Sequence, residues 1–153
     1  MKLNFSPIGV IHSPFKHKDD VDRERHRSED GFAGIEGELE VYPEFSGGLK
    51  DIDGFSHLVV IFAFHDSEGG HLTARPPHDH KERGVFATRS PRRPNPVGMT
   101  VVRFRGRSGR LLKISELDMI EGTPVLDIKP YTRHDLKPEA RFGWLENKQK
   151  NKT

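Results

Sequence analysis

An all-β domain, folded as a barrel or a sandwich, is what the sequence predicts, and three observations predict it. Apolar residues recur with period two in several short runs. Glycine and proline, 15 and 11 of the 153 residues, punctuate those runs in the way turn residues do. No stretch carries the 3.6-residue apolar period of a long helix.

The elements follow in order. "SPIGVI" (6–11) opens the chain as a short strand. "IEGELEV" (35–41) places Ile35, Leu39 and Val41 on one face and Glu36, Glu38 and Glu40 on the other, the pattern of a half-buried strand. "LKDIDGF" (49–55) reads as one or two helical turns. "HLVVIFAF" (57–64) is continuously apolar and reads as a strand covered on both faces. "GVFAT" (84–88) is a further short strand. "TVVRFRGR" (100–107) and "LLKISELD" (111–118) alternate apolar and polar residues, and "RSG" between them is a hairpin turn. "VLDIKPY" (125–131) brings the number of strands to about seven. Two segments are not strand-like: the charged run 16–31 and the Gly/Pro/His-rich stretch 66–83. Both read as long loops, which in compact domains are usually functional or disordered. The tail 146–153 reads as frayed beyond a domain of residues 1–145.

Composition narrows the function. Apolar content of 33% against 31% charged residues supports a modest core. Twenty-five basic and 23 acidic residues leave a net charge of +2, so any case for nucleic acid rests on local clustering. The absence of cysteine excludes disulfides, zinc–thiolate centres and thiol nucleophiles. No apolar run approaches the ~20 residues of a membrane helix, and the first residues lack the features of a secretory signal, so a soluble cytoplasmic protein is expected.

Four constellations carry candidate chemistry. In "RSPRRPNP" (89–96), Pro91, Pro94 and Pro96 stiffen a loop that presents Arg89, Arg92 and Arg93, and a rigid guanidinium suits carboxylate or phosphate. In "LDMIEGTPVLDIKPY" (117–131), the turn at Glu121–Gly122 can offer amides and a carboxylate, while Asp127 and Lys129 share one face of the following strand. His65, Asp66, His71, His78, Asp79 and His80 match no zinc spacing, so no metal is expected, although His65 and Asp66 stand where an apolar strand ends. Arg23, Arg25 and Arg27 in the charged run are placed to touch RNA phosphates, unless that run is simply a solvated face. No phosphate loop, dinucleotide fingerprint or serine elbow is present. These residues by themselves describe a small β domain with a stiff basic loop for an anionic ligand.

At these same residues the chain resembles a known family. "IGVIHSPF" (8–15), "GFSHLVVIFAFH" (54–65), "GVFATRSPRRPNPVGMTVV" (84–102) and "LDMIEGTPVLDIKPY" (117–131) are similar to the TsaA/TrmO family over roughly residues 6–140. The resemblance implies a single-sheet β-barrel, S-adenosyl-L-methionine as cofactor, tRNA as partner, and methylation of the exocyclic amine of N6-threonylcarbamoyladenosine next to the anticodon. It also implies a homodimer with the cofactor near strand ends and the subunit boundary. Cofactor-binding positions carried over are His65, Asp66, Arg89, Met99, Met119, Ile120, Glu121 and Gly122. Arg23 and Glu24 stand nearest to the family's Pro-Arg-Gln element, from which this sequence departs. Arg92, Arg93, Asn95, Lys129 and Tyr131 are the implied substrate-binding residues, and Asp127 the first candidate for a general base. The chain resembles the short forms that lack a C-terminal domain. The competing expectations are a cofactor- or RNA-binding module without turnover, a methyltransferase acting on another RNA base or a small molecule, and a metal hydrolase using the loop histidines.

Overall fold

The computed structural model describes residues 1–27, 30–77 and 79–146. His78 and residues 147–153 of the expected tail 146–153 lie outside the described residues, as do Ser28 and Glu29 of the charged run. Among the described residues six strands close into one antiparallel barrel: β1 (Gly9–His12), β2 (Glu36–Val41), β3 (His57–Ala63), β6 (Val97–Ser108), β7 (Leu111–Ser115) and β8 (Pro124–Pro130). Their order around the barrel is β1-β2-β7-β6-β3-β8. Two further strands, β4 (Thr73–Ala74) and β5 (Arg83–Gly84), pair only with each other. The single-sheet barrel implied by the resemblance is therefore the architecture observed.

The period-two pattern explains the core. Leu39 and Val41, Leu58, Val60 and Phe62, Val102 and Phe104, and Leu112 and Ile114 all point inward, joined by Ile11 and Val125. Burying each such side chain contributes about 1.5–3 kcal/mol, and a closed barrel leaves no long exposed strand edge. Met119, 2% exposed, and Leu117 plug the barrel where β7 leaves it.

Three expectations are corrected. Residues 84–88 are not a strand. Val85–Ala87 form a 3₁₀ turn, because the Thr88 amide and hydroxyl both donate to the Val85 carbonyl, at 3.0 and 2.8 Å. The charged run is not a loop but the helix α1 (Lys18–Arg27). Its acids precede its bases by three residues in the pairs Asp20–Arg23, Asp22–Arg25 and Glu24–Arg27, the arrangement that supports a helix. The Asp20 carboxylate also accepts the Lys16 and His17 amides at 3.0 Å, capping the first turn. Nor is β3 covered on both faces: Leu58, Val60 and Phe62 are buried while Val59, Ile61 and Ala63 remain half-buried on the outside.

Register places the connections. Three of them, residues 13–35 between β1 and β2, 64–96 between β3 and β6, and 116–123 between β7 and β8, leave from the same end of the barrel. The connection 42–56, the β6–β7 hairpin and the chain after β8 lie at the other end. At the first end β2 passes close to β1 and Leu117. A Cβ added at Gly37 would stand 2.5 Å from the His12 carbonyl oxygen and 2.4 Å from a Leu117 methyl. Because one obstacle is backbone, the clash has no easy relief. Gly37→Ala is expected to destabilise the fold by about 1–3 kcal/mol, read as a lower urea midpoint at unchanged slope.

Candidate active site

The three connections at one end of the barrel form a mouth. The 64–96 connection is braced from within. The Arg93 guanidinium donates to the Thr88 and Ser90 carbonyls at 3.0 and 3.2 Å. The Gly70 and His71 amides donate to the Arg93 and Arg92 carbonyls at 2.9 and 3.2 Å, and the Phe64 amide to the Pro96 carbonyl at 2.8 Å. The C-terminal segment clamps its base: the Trp144 indole N–H donates to the Ala87 carbonyl at 2.8 Å. Arg83 stacks over that indole at 4.6 Å while pairing with the buried Asp79 carboxylate at 2.8 Å. Arg93 therefore spends its donors on the loop, whereas the Arg89 and Arg92 side chains have no hydrogen-bond or ion-pair partner among the described residues. The proline-stiffened loop holds two free guanidiniums outward at low entropic cost.

The turn 119–122 is fastened to β1 and the residues after it. The Glu121 amide donates to the Phe15 carbonyl at 2.7 Å and the Gly122 amide to the Ile11 carbonyl at 2.9 Å. The Glu121 carboxylate accepts the Ser13 amide at 2.7 Å and His12 Nδ1 at 3.0 Å, and His12 Nε2 lies 3.0 Å from a Glu40 oxygen. A neutral imidazole has one N–H, so donating to both carboxylates takes the imidazolium. The bonds to Glu40 and Glu121 accordingly raise the His12 pKa above 6.5. The Ser13 amide, then His12, hold Glu121 below 4.5.

Asp118 precedes that turn and sits deeper in the mouth. The Thr100 hydroxyl, from the inward face of β6, donates to Asp118 Oδ1 at 2.6 Å. Burial raises the Asp118 pKa, against the opposing pull of the Thr100 hydroxyl, the positive charge on Arg25, the residue's own backbone amide and the positive charge on Arg89. Neither guanidinium comes within the 4.0 Å of an ion pair.

The residues expected from the sequence are distributed as follows. Arg89, Arg92, Asn95, His65 and Asp66 are exposed on the connection that rims the mouth, and Met99 (42% exposed) follows on the outer face of β6. Ile120, Glu121 and Gly122 form the fastened turn, whereas the Met119 side chain is packed in the core rather than offered to a ligand. Arg23 and Glu24 are on α1, paired with Asp20 and Arg27, and the α1 cation whose field reaches Asp118 is Arg25. Asp127 is on the outer wall, 2.8 Å from Lys129 Nζ, and this pairing raises the Lys129 pKa. Lys129 is opposite Val59, four residues from the end of β3, about 13 Å at the rise of a strand. Tyr131 lies beyond it beside His57, at the far end of the barrel. A single chain thus does not bring Asp127, Lys129 and Tyr131 to the mouth. Among the described residues, no three His, Cys, Asp or Glu side chains gather to hold a metal.

His12, Thr100 and Asp118 were missed by sequence reasoning. Asp118 looks like the polar end of an alternating strand, and His12 meets Glu121 across 109 residues, so neither leaves a local signal.

At this mouth a closed antiparallel barrel brings together two unpaired arginines, a half-buried carboxylate and an ordered turn, a set suited to a polar, anionic ligand. Comparison with known proteins makes this particular. Residues 10–135 match the family model described as "tRNA-methyltransferase O N-terminal domain". The Pyrococcus abyssi protein named "Probable S-adenosyl-L-methionine-binding protein" is 48% identical over 95% of this chain and 78% of its own. The Escherichia coli tRNA (adenine(37)-N6)-methyltransferase is 40% identical over 95% of this chain and 65% of its own. The crystal structure of TrmO from Pseudomonas aeruginosa superposes with a TM-score of 0.75 at 35% identity, covering 94% of this chain and 63% of that one. The chain belongs to the TrmO N-terminal-domain family, and it spans just under two thirds of the bacterial relatives it matches.

The His12 clamp has a pH signature. A raised His pKa contributes stability that is fully present below 6.5 and is lost as pH rises through the folded value. A lowered Glu121 pKa contributes stability present above 4.5 and lost as pH falls through its folded value. The melting temperature is expected to decline as pH climbs above 6.5, and His12→Gln to flatten that limb in thermal melts across pH.

Proposed function

We propose that the protein is an S-adenosyl-L-methionine-dependent methyltransferase acting on the exocyclic amine of adenine in tRNA, with N6-threonylcarbamoyladenosine beside the anticodon as its base. One observation carries the reading: in a chain of this family, a free arginine pair, a half-buried carboxylate and the turn 120–122 stand at one end of the barrel. The names of relatives support it, as a tRNA methyltransferase in bacteria and as S-adenosyl-L-methionine-binding proteins in archaea.

The donor set fits such a cofactor, which supplies an electrophilic methyl group on a sulfonium. Arg89 offers a guanidinium to its carboxylate. The turn offers backbone groups and the Ile120 side chain, while Met99, on the outer wall, would offer its polarisable surface only at the subunit boundary. His65 and Asp66 stand on the rim to orient it, with Arg23 and Glu24 at the edge made by α1. Arg92 and Asn95 face the substrate, and Arg92 is suited to the threonyl carboxylate. Arg93 serves by stiffening the loop. Holding both reactants in line lowers the barrier by making the transfer effectively unimolecular.

A homodimer is part of this proposal. Val59, Ile61 and Ala63 on β3 pair with Val101, Met99 and Val97 on β6, forming an apolar strip on the outer wall. Isologous pairing over this strip would cover it. Asp127 and Lys129 border the strip on β8, so they and Tyr131 reach a mouth only across the subunit boundary.

Labelled cofactor tests the reading with tRNA carrying or lacking threonylcarbamoyladenosine. Label is expected in the modified adenosine alone; cofactor binding with no label in either tRNA would reduce the protein to a binding module. Arg92→Ala is expected to lower kcat/KM on modified tRNA by the ~1.5–3 kcal/mol of a charged hydrogen bond, roughly 10- to 150-fold. Met99→Glu is expected to shift sedimentation from dimer to monomer.

A further inference from the structure

We infer that Asp118 is the catalytic base, the group that takes the proton from the exocyclic amine as it is methylated. This rests on the methyl-transfer reading above. The amine lone pair of an adenine, and more so of its carbamoyl derivative, is delocalised into neighbouring π systems, so the nitrogen attacks well only as it loses its proton. The acceptor must lie in the mouth, reach the nitrogen with a free oxygen, and bind a proton more readily than an ordinary surface carboxylate.

Asp118 is where these requirements meet. It stands at the mouth between the inward face of β6 and the turn 119–122. Thr100 occupies Oδ1 at 2.6 Å and fixes the carboxylate's orientation. Apart from Thr100 and its own backbone amide, the carboxylate has no hydrogen-bond partner among the described residues. The charged groups that face it are Arg25 from α1 and Arg89 from the 64–96 connection, both short of ion-pair distance. Burial outweighs these cations and leaves the group more basic than a free carboxylate. Asp127 has none of these properties in one chain: it is on the outer wall and paired with Lys129 at 2.8 Å. In the step itself the N–CH₃ bond forms as the carbon–sulfur bond breaks. The sulfonium leaves as a neutral thioether, and the amine proton passes to Asp118 Oδ2 and then to solvent.

The test compares the full-length protein with Asp118→Asn and Thr100→Val. Asn keeps the shape and can still accept the Thr100 hydrogen bond. Asp118→Asn should lower kcat about 10²- to 10⁴-fold, with the melting temperature and the calorimetric affinity for S-adenosyl-L-methionine close to wild type. The wild-type kcat should rise with pH along an acid limb set by Asp118. Thr100→Val, which removes a hydrogen bond to the charged form, should move that limb to higher pH. Carbon-detected NMR of the Asp118 carboxyl should show the same upward shift without any turnover. If wild type transfers methyl and Asp118→Asn matches it, or if Asp127→Asn abolishes turnover while Asp118→Asn does not, the assignment is overturned. Loss of cofactor affinity in Asp118→Asn would overturn it too, making the residue an anchor for the cofactor. If wild type itself transfers no methyl to any adenine, it is the methyl-transfer reading that fails.

Discussion

Everything at the mouth hangs on the seam between β1 and β8. The regular ladder there is short, pairing Gly9 with Val125 and Val10 with Pro124, and proline has no amide to donate. The chain compensates by extending the seam past the strands. Ile8 donates to Val125 and Ile11 to Thr123, while Gly122 and Glu121 donate to Ile11 and Phe15, all at 2.7–3.0 Å. The Glu121 carboxylate then ties down the Ser13 amide and His12. One run of hydrogen bonds thus closes the barrel and orders the turn that lines the site. A sheet left open here would splay that turn away from the 64–96 connection.

Closure also decides what the charged residues can do. In an antiparallel barrel alternate connections share an end, so α1, the arginine loop and the turn after β7 crowd one mouth. Their charges divide into two kinds. Arg93, Arg83 and Glu121 are consumed by the scaffold, in bonds to carbonyls, to Asp79 and to the His12 clamp. The Arg89 and Arg92 guanidiniums are not, and Asp118 is held by no side chain but Thr100. A scaffold that satisfies its own polar groups can leave a few charges unpaired where a ligand will pair them, because charges left without partners away from water are otherwise costly.

How far the site was legible follows from the range of the interactions that build it. The arginine loop announces itself because proline and arginine act locally, through a fixed φ and a planar cation. The helix α1 was legible in principle. Its acid-before-base spacing of three is a local signal, but a run so poor in apolar residues reads as solvent until Val21 and Phe15 are seen to be buried. The turn at Val85–Ala87 was hidden because β-branched and aromatic residues suit a strand, and only the Thr88 bonds to Val85 overrule them. His12 with Glu40 and Glu121, and Asp118 with Thr100, could not be found from spacing.

The sequence by itself determined the all-β class, the inward set of each strand, the rigid basic loop and, through its long motif, the resemblance to one family. These depend on period, turn chemistry and residue type, which act over a few positions. Only the tertiary structure decided that six strands rather than seven close the barrel, that three distant loops share one mouth, that Arg93 braces while Arg89 and Arg92 stay free, and that Asp118 rather than Asp127 lies at that mouth within one chain. Those outcomes depend on register and closure, and both are set by pairing between residues more than a hundred positions apart.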